Sequence, residues 1–145
     1  MKPVISAQGL RKSYGALQVV KGLDLTIYQG EIFAILGPNG AGKTTTVEIL
    51  EGFRAADAGQ ISVLDTDPSV KGAAGLAWRN RIGIVLQSTQ DTAELTVREA
   101  LTHFASYYSH PRDVEDVITL VGLEEKADDR ARTLSGGQRR RLDVG

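Results

Sequence analysis

A lysine and two threonines close a glycine-bearing stretch at residues 37–45, GPNGAGKTT. Gly37 is followed by four free positions and then by Gly42, Lys43 and Thr44, which matches the phosphate-binding loop pattern at every fixed position. Glycines let the backbone fold around a polyphosphate, so that successive amide groups from about residue 40 to 45 point at its oxygen atoms. The stretch therefore predicts a site for a nucleoside triphosphate.

The side chains of this loop divide the expected chemistry between them. Lys43 is expected to reach the β- and γ-phosphates, and the hydroxyl of Thr44 to join a Mg²⁺ ion whose other ligands are mostly water and phosphate oxygens. Thr45 adds a further phosphate contact. The alternative, a plain glycine turn before a helix, is less favoured because an apolar run at 32–36, interpreted as a strand, precedes the loop and a helix-compatible run at 46–50 follows it.

Composition limits the other classes of function. The chain has 145 residues, 41% of them apolar and 24% charged, which is ordinary for one globular domain. A net charge of -1 offers no general attraction to nucleic acid or to an anionic membrane. The sequence has no cysteine and no spanning apolar run, so a cytoplasmic protein is expected, and His103 and His110 lack the spacing of metal ligands.

The elements that must position the loop follow from apolar periodicity. Runs at 4–10 and 18–28 alternate and predict antiparallel strands, and 60–64 predicts another short strand, followed by a loop at 65–75. The continuous apolar run at 82–86 predicts a strand buried in a parallel sheet. Gln87 follows it at the edge where α/β sheets bind ligands, although a simple loop cap is the alternative.

The next fifty residues are predicted to be helical. Thr96 and Glu99 have capping-box spacing at the start of a helix that runs toward Tyr108, and Pro111 breaks it. Apolar residues at 114, 117, 118 and 121 follow at helical spacing.

A second glycine-bearing stretch, LSGGQ at 134–138, again precedes a helix-compatible run. Ser135 suits an N-cap, and the two exposed glycine amides that follow it make a candidate anion site. The three arginines at 139–141 are interpreted as a solvated helix face rather than as a nucleic-acid patch.

GPNGAGKTT, Gln87 and LSGGQ occur in this order, and together they resemble the nucleotide-binding subunit of an ABC transporter. The resemblance implies an α/β fold of the P-loop NTPase type: a mixed sheet, an antiparallel β-subdomain and a helical subdomain. It divides the chain into a core with the β-subdomain at about 1–90, a helical subdomain at about 91–133, and the signature with the start of its helix at 134–145.

The resemblance also assigns site residues. The first stretch corresponds to Walker A and binds ATP, and Gln87 corresponds to the glutamine that senses Mg²⁺ and the γ-phosphate. Tyr14, which spacing alone would interpret as a turn residue used for packing, corresponds to the aromatic that stacks on adenine. The ATP-binding positions are thus Tyr14, Gly37, Pro38, Asn39, Gly40, Ala41, Gly42, Lys43, Thr44 and Thr45. The catalytic positions are Lys43 and Gln87, and the Mg²⁺ positions are Thr44 and Gln87.

The partners follow from the same resemblance. Ser135, Gly136, Gly137 and Gln138 would contact the ATP of a second nucleotide-binding subunit in a head-to-tail dimer. A transmembrane permease would be the other partner, no nucleic acid is expected, and the subunit would lie peripherally on the inner face of the cell membrane.

One departure limits what these residues are expected to do alone. The family places an apolar strand ending in Asp-Glu after the signature, and the 145 residues do not contain it. The Walker B aspartate and the catalytic glutamate are therefore missing from them, and no turnover is expected from these residues by themselves. The segment at 50–68 resembles ATPase subunits of ABC-2 type exporters. A soluble ABC ATPase that acts on ribosomes or DNA, and a non-catalytic nucleotide binder, are the alternatives.

Overall fold

The computed structural model describes residues 2–85 and 93–145. The chain divides into two compact units, Met1–Ile82 and Gly83–Gly145. The first unit contains the phosphate-binding loop and Tyr14, and the second contains the LSGGQ stretch. Each unit has a hydrophobic core of its own.

A three-stranded antiparallel sheet forms the body of the first unit. Strand β1 (Pro3–Tyr14) pairs with β2 (Leu17–Tyr28) on one side and with β3 (Ala58–Val63) on the other. The tight turn from β1 to β2 contains Gly15, whose φ of 58° favours glycine. The expected antiparallel strands are confirmed; β1 is longer at both ends than the alternating run predicted, and β2 begins one residue earlier.

Helix α1 (Lys43–Leu50) packs on this sheet. Its Ile49 is 1% exposed and lies in one core cluster with Leu10 of β1 and Val20 of β2. Burial of such side chains is the main force that holds a helix of eight residues on a sheet. The predicted helix after the loop is therefore confirmed, and it is anchored at its carboxyl end.

A second helix, α2 (Gly72–Arg79), lies in a segment whose first part was predicted to be loop. That prediction was wrong for residues 72–75. Gly72 and Gly75 are poor helix formers, and the helix has no side-chain cap at its N-terminus. Tertiary contacts of Trp78 stabilise the helix instead. Its side chain is 2% exposed, and its indole Nε1 donates to the carbonyl oxygen of Val63 at 2.9 Å.

Two predicted strands are not formed in the described residues. The run at 32–36 has no strand assignment, and its Ile32 and Leu36 are 103% and 89% exposed. Residues 82–85 of the second run also have none, and residue 86 lies outside the described residues. A strand requires a hydrogen-bonded neighbour. The three strands of the described sheet pair only with one another, which leaves both apolar runs without a partner in that part of the chain.

The second unit is helical, as predicted. It contains α3 (Val97–Ala105), α4 (Val114–Leu120) and α5 (Gly136–Val144), with short 3₁₀ turns at Glu124–Lys126 and Ala131–Thr133. The core between the helices consists of Val97, Ala100, Leu101, Ile118, Leu123, Ala127, Ala131 and Leu142. Helix α3 ends at Ala105, three residues before Tyr108, where its predicted path ended.

The capping box at the start of α3 is confirmed. The Thr96 hydroxyl accepts from the Glu99 amide at 3.1 Å, and the Glu99 carboxylate accepts from the Thr96 amide at 2.8 Å. Thr96 also bridges to Arg130, so the cap joins the helix to the segment that leads into LSGGQ.

We expect Thr96→Ala to lower the free energy of unfolding by about 1 kcal/mol, because an amide of the first turn loses its acceptor. Thr102→Ala is the matched control on the same helix. The Thr102 hydroxyl donates only to the carbonyl of Arg98, which lies four residues earlier. Its loss should change stability by less than about 0.5 kcal/mol. Urea unfolding followed by circular dichroism measures both, and equal losses in the two variants would contradict the role given to the cap.

Candidate nucleotide-binding site

Gly42 fixes where the phosphate-binding loop meets the sheet. It is the N-cap of α1, with a φ of 81° that favours glycine. A Cβ at this position would lie 2.6 Å from the carbonyl oxygen of Val19 and 3.2 Å from its Cγ1. The loop backbone therefore approaches β2 so closely that only glycine fits. Residue 42 must therefore be glycine for two reasons: its positive φ, and the lack of space for a side chain.

The ammonium group of Lys43 lies inside the loop. Its Nζ donates to the carbonyl oxygens of Gly37 and Pro38, each at 2.7 Å. The amide of Ala41 also donates to the Pro38 carbonyl at 3.2 Å, which closes the loop upon itself. The positive charge thus sits close to the N-terminus of α1, where the helix dipole also favours an anion.

Most of the other loop residues face solvent. Pro38, Asn39, Gly40 and Ala41 are exposed, as is Thr44, while Thr45 is half-buried. The N-terminus of α1 has no side-chain cap in the described part of the chain, whereas α3, α4 and α5 have one. Amide groups of its first turn are therefore available to an external acceptor.

A cavity of about 560 Å³ lies between the loop and β2. Its wall includes Lys43 and Thr46 of α1, Ala41 of the loop and Lys21 of β2. This volume is within the range of small-molecule sites, which is roughly 300–1,000 Å³. Two lysines in one wall make the cavity suited to an anionic ligand.

Tyr14 is the last residue of β1 and pairs with Leu17, which also lines this cavity. Its side chain is 42% exposed. The guanidinium carbon of Arg54 lies 5.3 Å from the centre of the ring, and Nζ of Lys12 lies 5.8 Å from it. Tyr14 is therefore an exposed aromatic whose strand partner Leu17 belongs to the cavity wall, with cations beside its ring.

Both cations are held by carboxylates. Nε of Arg54 donates to Glu48 of α1 at 2.7 Å, and this hydrogen bond raises the pKa of Arg54. Nζ of Lys12 donates to Asp57 at 2.7 Å, and the other oxygen of Asp57 accepts from the amide of Ser13, also at 2.7 Å. The hydrogen bonds from Lys12 and Ser13 lower the pKa of Asp57.

Sequence reasoning missed this group of residues around Tyr14. The segment at 50–68, which contains Arg54 and Asp57, was compared only with the ATPase subunits of exporters. The signal that could have found it is weak, because Arg54 and Asp57 are common surface residue types and their partners lie as far as 45 positions away.

The LSGGQ stretch forms the start of α5, as predicted. The Ser135 hydroxyl accepts from the Gln138 amide at 3.3 Å, and the Gln138 side-chain oxygen accepts from the Ser135 amide at 2.9 Å. Beyond its own helix, a Cβ at Gly136 or at Gly137 would meet no atom of residues 2–85 and 93–145 within 4 Å. The first turn of α5 is thus an exposed, glycine-bearing helix start.

Arg141, the last of the three arginines beyond it, contacts the backbone at the end of α4. Nη1 of Arg141 donates to the carbonyl oxygens of Val121 and Gly122 at 3.2 and 2.9 Å. It thereby ties α5 to the end of α4.

Gln87 lies outside the described residues, so its predicted position is not tested. No group of three His, Asp or Glu side chains that could hold a metal is found in residues 2–85 and 93–145. The Thr44 hydroxyl is a hard oxygen donor in the first turn of α1, and it fits a Mg²⁺ ion that keeps water and phosphate oxygens as its other ligands. Among the helices that the structure describes, none has the length and apolarity needed to cross a bilayer.

The sequence matches one protein family and several of its characterised members. The family model described as "ABC transporter" matches residues 20–145. The Nod factor export ATP-binding protein I of Ralstonia nicotianae is 41% identical over 98% of this chain and 45% of its own length. The linearmycin resistance ATP-binding protein LnrL of Bacillus subtilis is 35% identical, over 98% of this chain and 46% of its own length. The chain thus spans about half the length of these relatives.

Solved structures show the same fold. An ATP-binding cassette of an ABC transporter, in its ADP conformation, has a TM-score of 0.81 and 25% identity, over 99% of this chain and 63% of its own. CbiO1 of Clostridium perfringens, part of the transporter complex cbiONQ, also has a TM-score of 0.81, at 24% identity, over 99% of this chain and 60% of its own. The α/β fold of the ABC cassette is therefore shown, and the chain belongs to the ABC transporter family as one of its ATP-binding proteins.

Proposed function

We propose that this chain binds ATP with Mg²⁺ at the loop of residues 37–45. The observation that supports this most is the position of Lys43, whose ammonium lies within the loop at the N-terminus of α1. In the free chain it donates to two neutral carbonyl oxygens. On binding, it exchanges them for the anionic oxygens of the β- and γ-phosphates, so that donor and acceptor carry opposite charges.

The remaining ligand contacts are proposed from the same geometry. First-turn amides of α1 hold the phosphates, since no side chain caps them in the described residues. Tyr14, whose strand partner Leu17 lines the cavity, stacks on adenine. Thr44, together with Gln87, holds the metal; Mg²⁺ when bound neutralises charge on the β- and γ-phosphates and orients them.

The LSGGQ stretch is proposed to act on the nucleotide of a second nucleotide-binding subunit. Ser135, Gly136, Gly137 and Gln138 present a helix N-terminus with a hydroxyl beside it, which suits a phosphate. The open space at both glycines leaves room for another molecule to come close to the backbone. Bound ATP would then close the dimer, and loss of its γ-phosphate would reopen it.

In the whole protein, we propose that ATP hydrolysis drives transport through a transmembrane permease at the inner face of the membrane. The names of the relatives favour export, since one serves Nod factor export and another linearmycin resistance. The chain corresponds to 45% of the length of the Nod factor export ATP-binding protein I. We therefore propose hydrolysis for the whole protein and not for the 145 residues alone. The 145 residues themselves are expected to bind ATP without turning it over.

The first test is Lys43→Ala. Losing a hydrogen bond to a charged group costs about 1.5–3 kcal/mol, so the affinity for Mg-ATP should fall about ten- to one-hundred-fold. Lys71→Ala, which removes an exposed lysine from the N-cap of α2, is the control and should bind like the unaltered chain. Calorimetric titration measures binding, and a coupled phosphate assay should find equal background turnover in all three. Binding unaffected by Lys43→Ala would refute the proposed site.

The second test is Gly137→Ala. Alanine is the better helix former by about 1 kcal/mol and its Cβ would have open space around it in the described part of the chain, so stability and Mg-ATP binding by one subunit should not fall. In the whole protein, the added methyl group lies where a partner's nucleotide would approach. Sedimentation should then show weaker ATP-dependent association, while association equal to that of the unaltered protein would count against the signature contact.

A further inference from the structure

We infer that Arg54 is a positioning residue for Tyr14, and that Glu48 connects it to the helix that starts at the phosphate-binding loop. The inference rests on the proposed function, because it concerns the adenine end of the same site. The guanidinium carbon of Arg54 lies 5.3 Å from the centre of the Tyr14 ring. This distance is within the roughly 6 Å over which a cation and an aromatic face attract each other.

Two hydrogen bonds to Glu48 hold Arg54 in place beside the ring. Its Nε donates to the Glu48 carboxylate at 2.7 Å, and its own amide donates to the Glu48 carbonyl oxygen at 3.2 Å. Side chain and backbone of Arg54 are therefore attached to one residue. An arginine attached in this way loses less conformational entropy when it rests on an aromatic ring than a free surface arginine does.

Glu48 connects the helix at the phosphate-binding loop to Arg54 and thereby to the Tyr14 ring. It lies on α1, the helix that begins with Lys43 and is seated on β2 through Gly42. The chain of contacts runs from α1 through Glu48 and Arg54 to Tyr14. It sets the ring at a defined place relative to the phosphate-binding loop, and the exposed part of the ring, with the side chain 42% exposed, remains for a base.

A second ion pair holds the strand that carries the ring. Asp57 accepts from Nζ of Lys12 and from the amide of Ser13, and its own amide donates to the Arg11 carbonyl oxygen at 2.9 Å. The backbone before Tyr14 is thus fixed by one residue of the segment that follows α1. Arg54 is the group from that segment that lies over the ring itself, and this distinguishes its effect from that of the Asp57 pair.

The consequence is selective for the base. Removing Arg54 should loosen the ring that stacks on adenine and leave the phosphate contacts of Lys43 and α1 intact. Affinity for Mg-ATP should therefore fall, while affinity for Mg-tripolyphosphate, which has the phosphates without a base, should stay the same. A residue needed only for folding would weaken both ligands alike.

The test is calorimetric titration of the 145-residue chain and its variants with both ligands. Arg54→Met should weaken Mg-ATP about two- to five-fold, the range expected of an exposed cation and ring pair. Tripolyphosphate binding should be unchanged. Arg54→Lys keeps a cation near the ring and should recover part of the loss. The control is Lys2→Met, which breaks an exposed ion pair with Asp65, remote in sequence from the ring and the loop, and should change neither affinity.

The outcomes separate this inference from the proposed function. If the unaltered chain binds neither ligand, both are overturned. If it binds both ligands and Tyr14→Ala weakens only the binding of Mg-ATP, the proposed nucleotide site is supported. If, in that case, the Arg54→Met variant binds Mg-ATP as tightly as the unaltered chain does, the role of Arg54 is overturned. Equal weakening of both ligands by Arg54→Met also overturns it, because the effect would then lie in the loop or the fold.

Discussion

The close approach between Gly42 and the Val19 carbonyl is the constraint on which the first unit depends. A Cβ on residue 42 would come within 2.6 Å of that oxygen, so the start of α1 can lie against β2 only without a side chain. The other end of α1 is fixed by Ile49, buried with Leu10 and Val20. Between these two points, the helix can present Lys43 in only one place relative to the sheet.

The polar contacts around Tyr14 extend this arrangement to the opposite end of the site. Glu48 is on α1, and Arg54 and Asp57 are in the segment that follows it, so the residues that frame the aromatic come from the continuation of the phosphate-binding helix. One short stretch of chain thus places both the group that meets phosphate and the groups that hold the ring. Surface ion pairs of this kind add little stability, and their value here is geometric.

Much of the fold could be predicted because its signals are local. The capping box at Thr96, the N-cap at Ser135, the alternating strands, and the helix after Lys43 each follow from a few neighbouring residues. The apolar run at 32–36 was interpreted as a strand from the same kind of signal, but a strand also needs a neighbour, which a local pattern does not report. Helix α2 escaped prediction because it is held by the burial of Trp78, and the residues around Tyr14 because their ion pairs span up to 45 positions.

The central claim is that the loop of residues 37–45 holds the phosphates of ATP through Lys43 and the start of α1. Backbone amide resonances of ¹⁵N-labelled chain, followed during titration with Mg-ATP, test it most directly. The account predicts that the largest shifts fall on residues 40–45, with smaller ones at Tyr14 and none at 135–138 while the chain is monomeric. Saturable shifts elsewhere, with residues 40–45 unmoved, would contradict it.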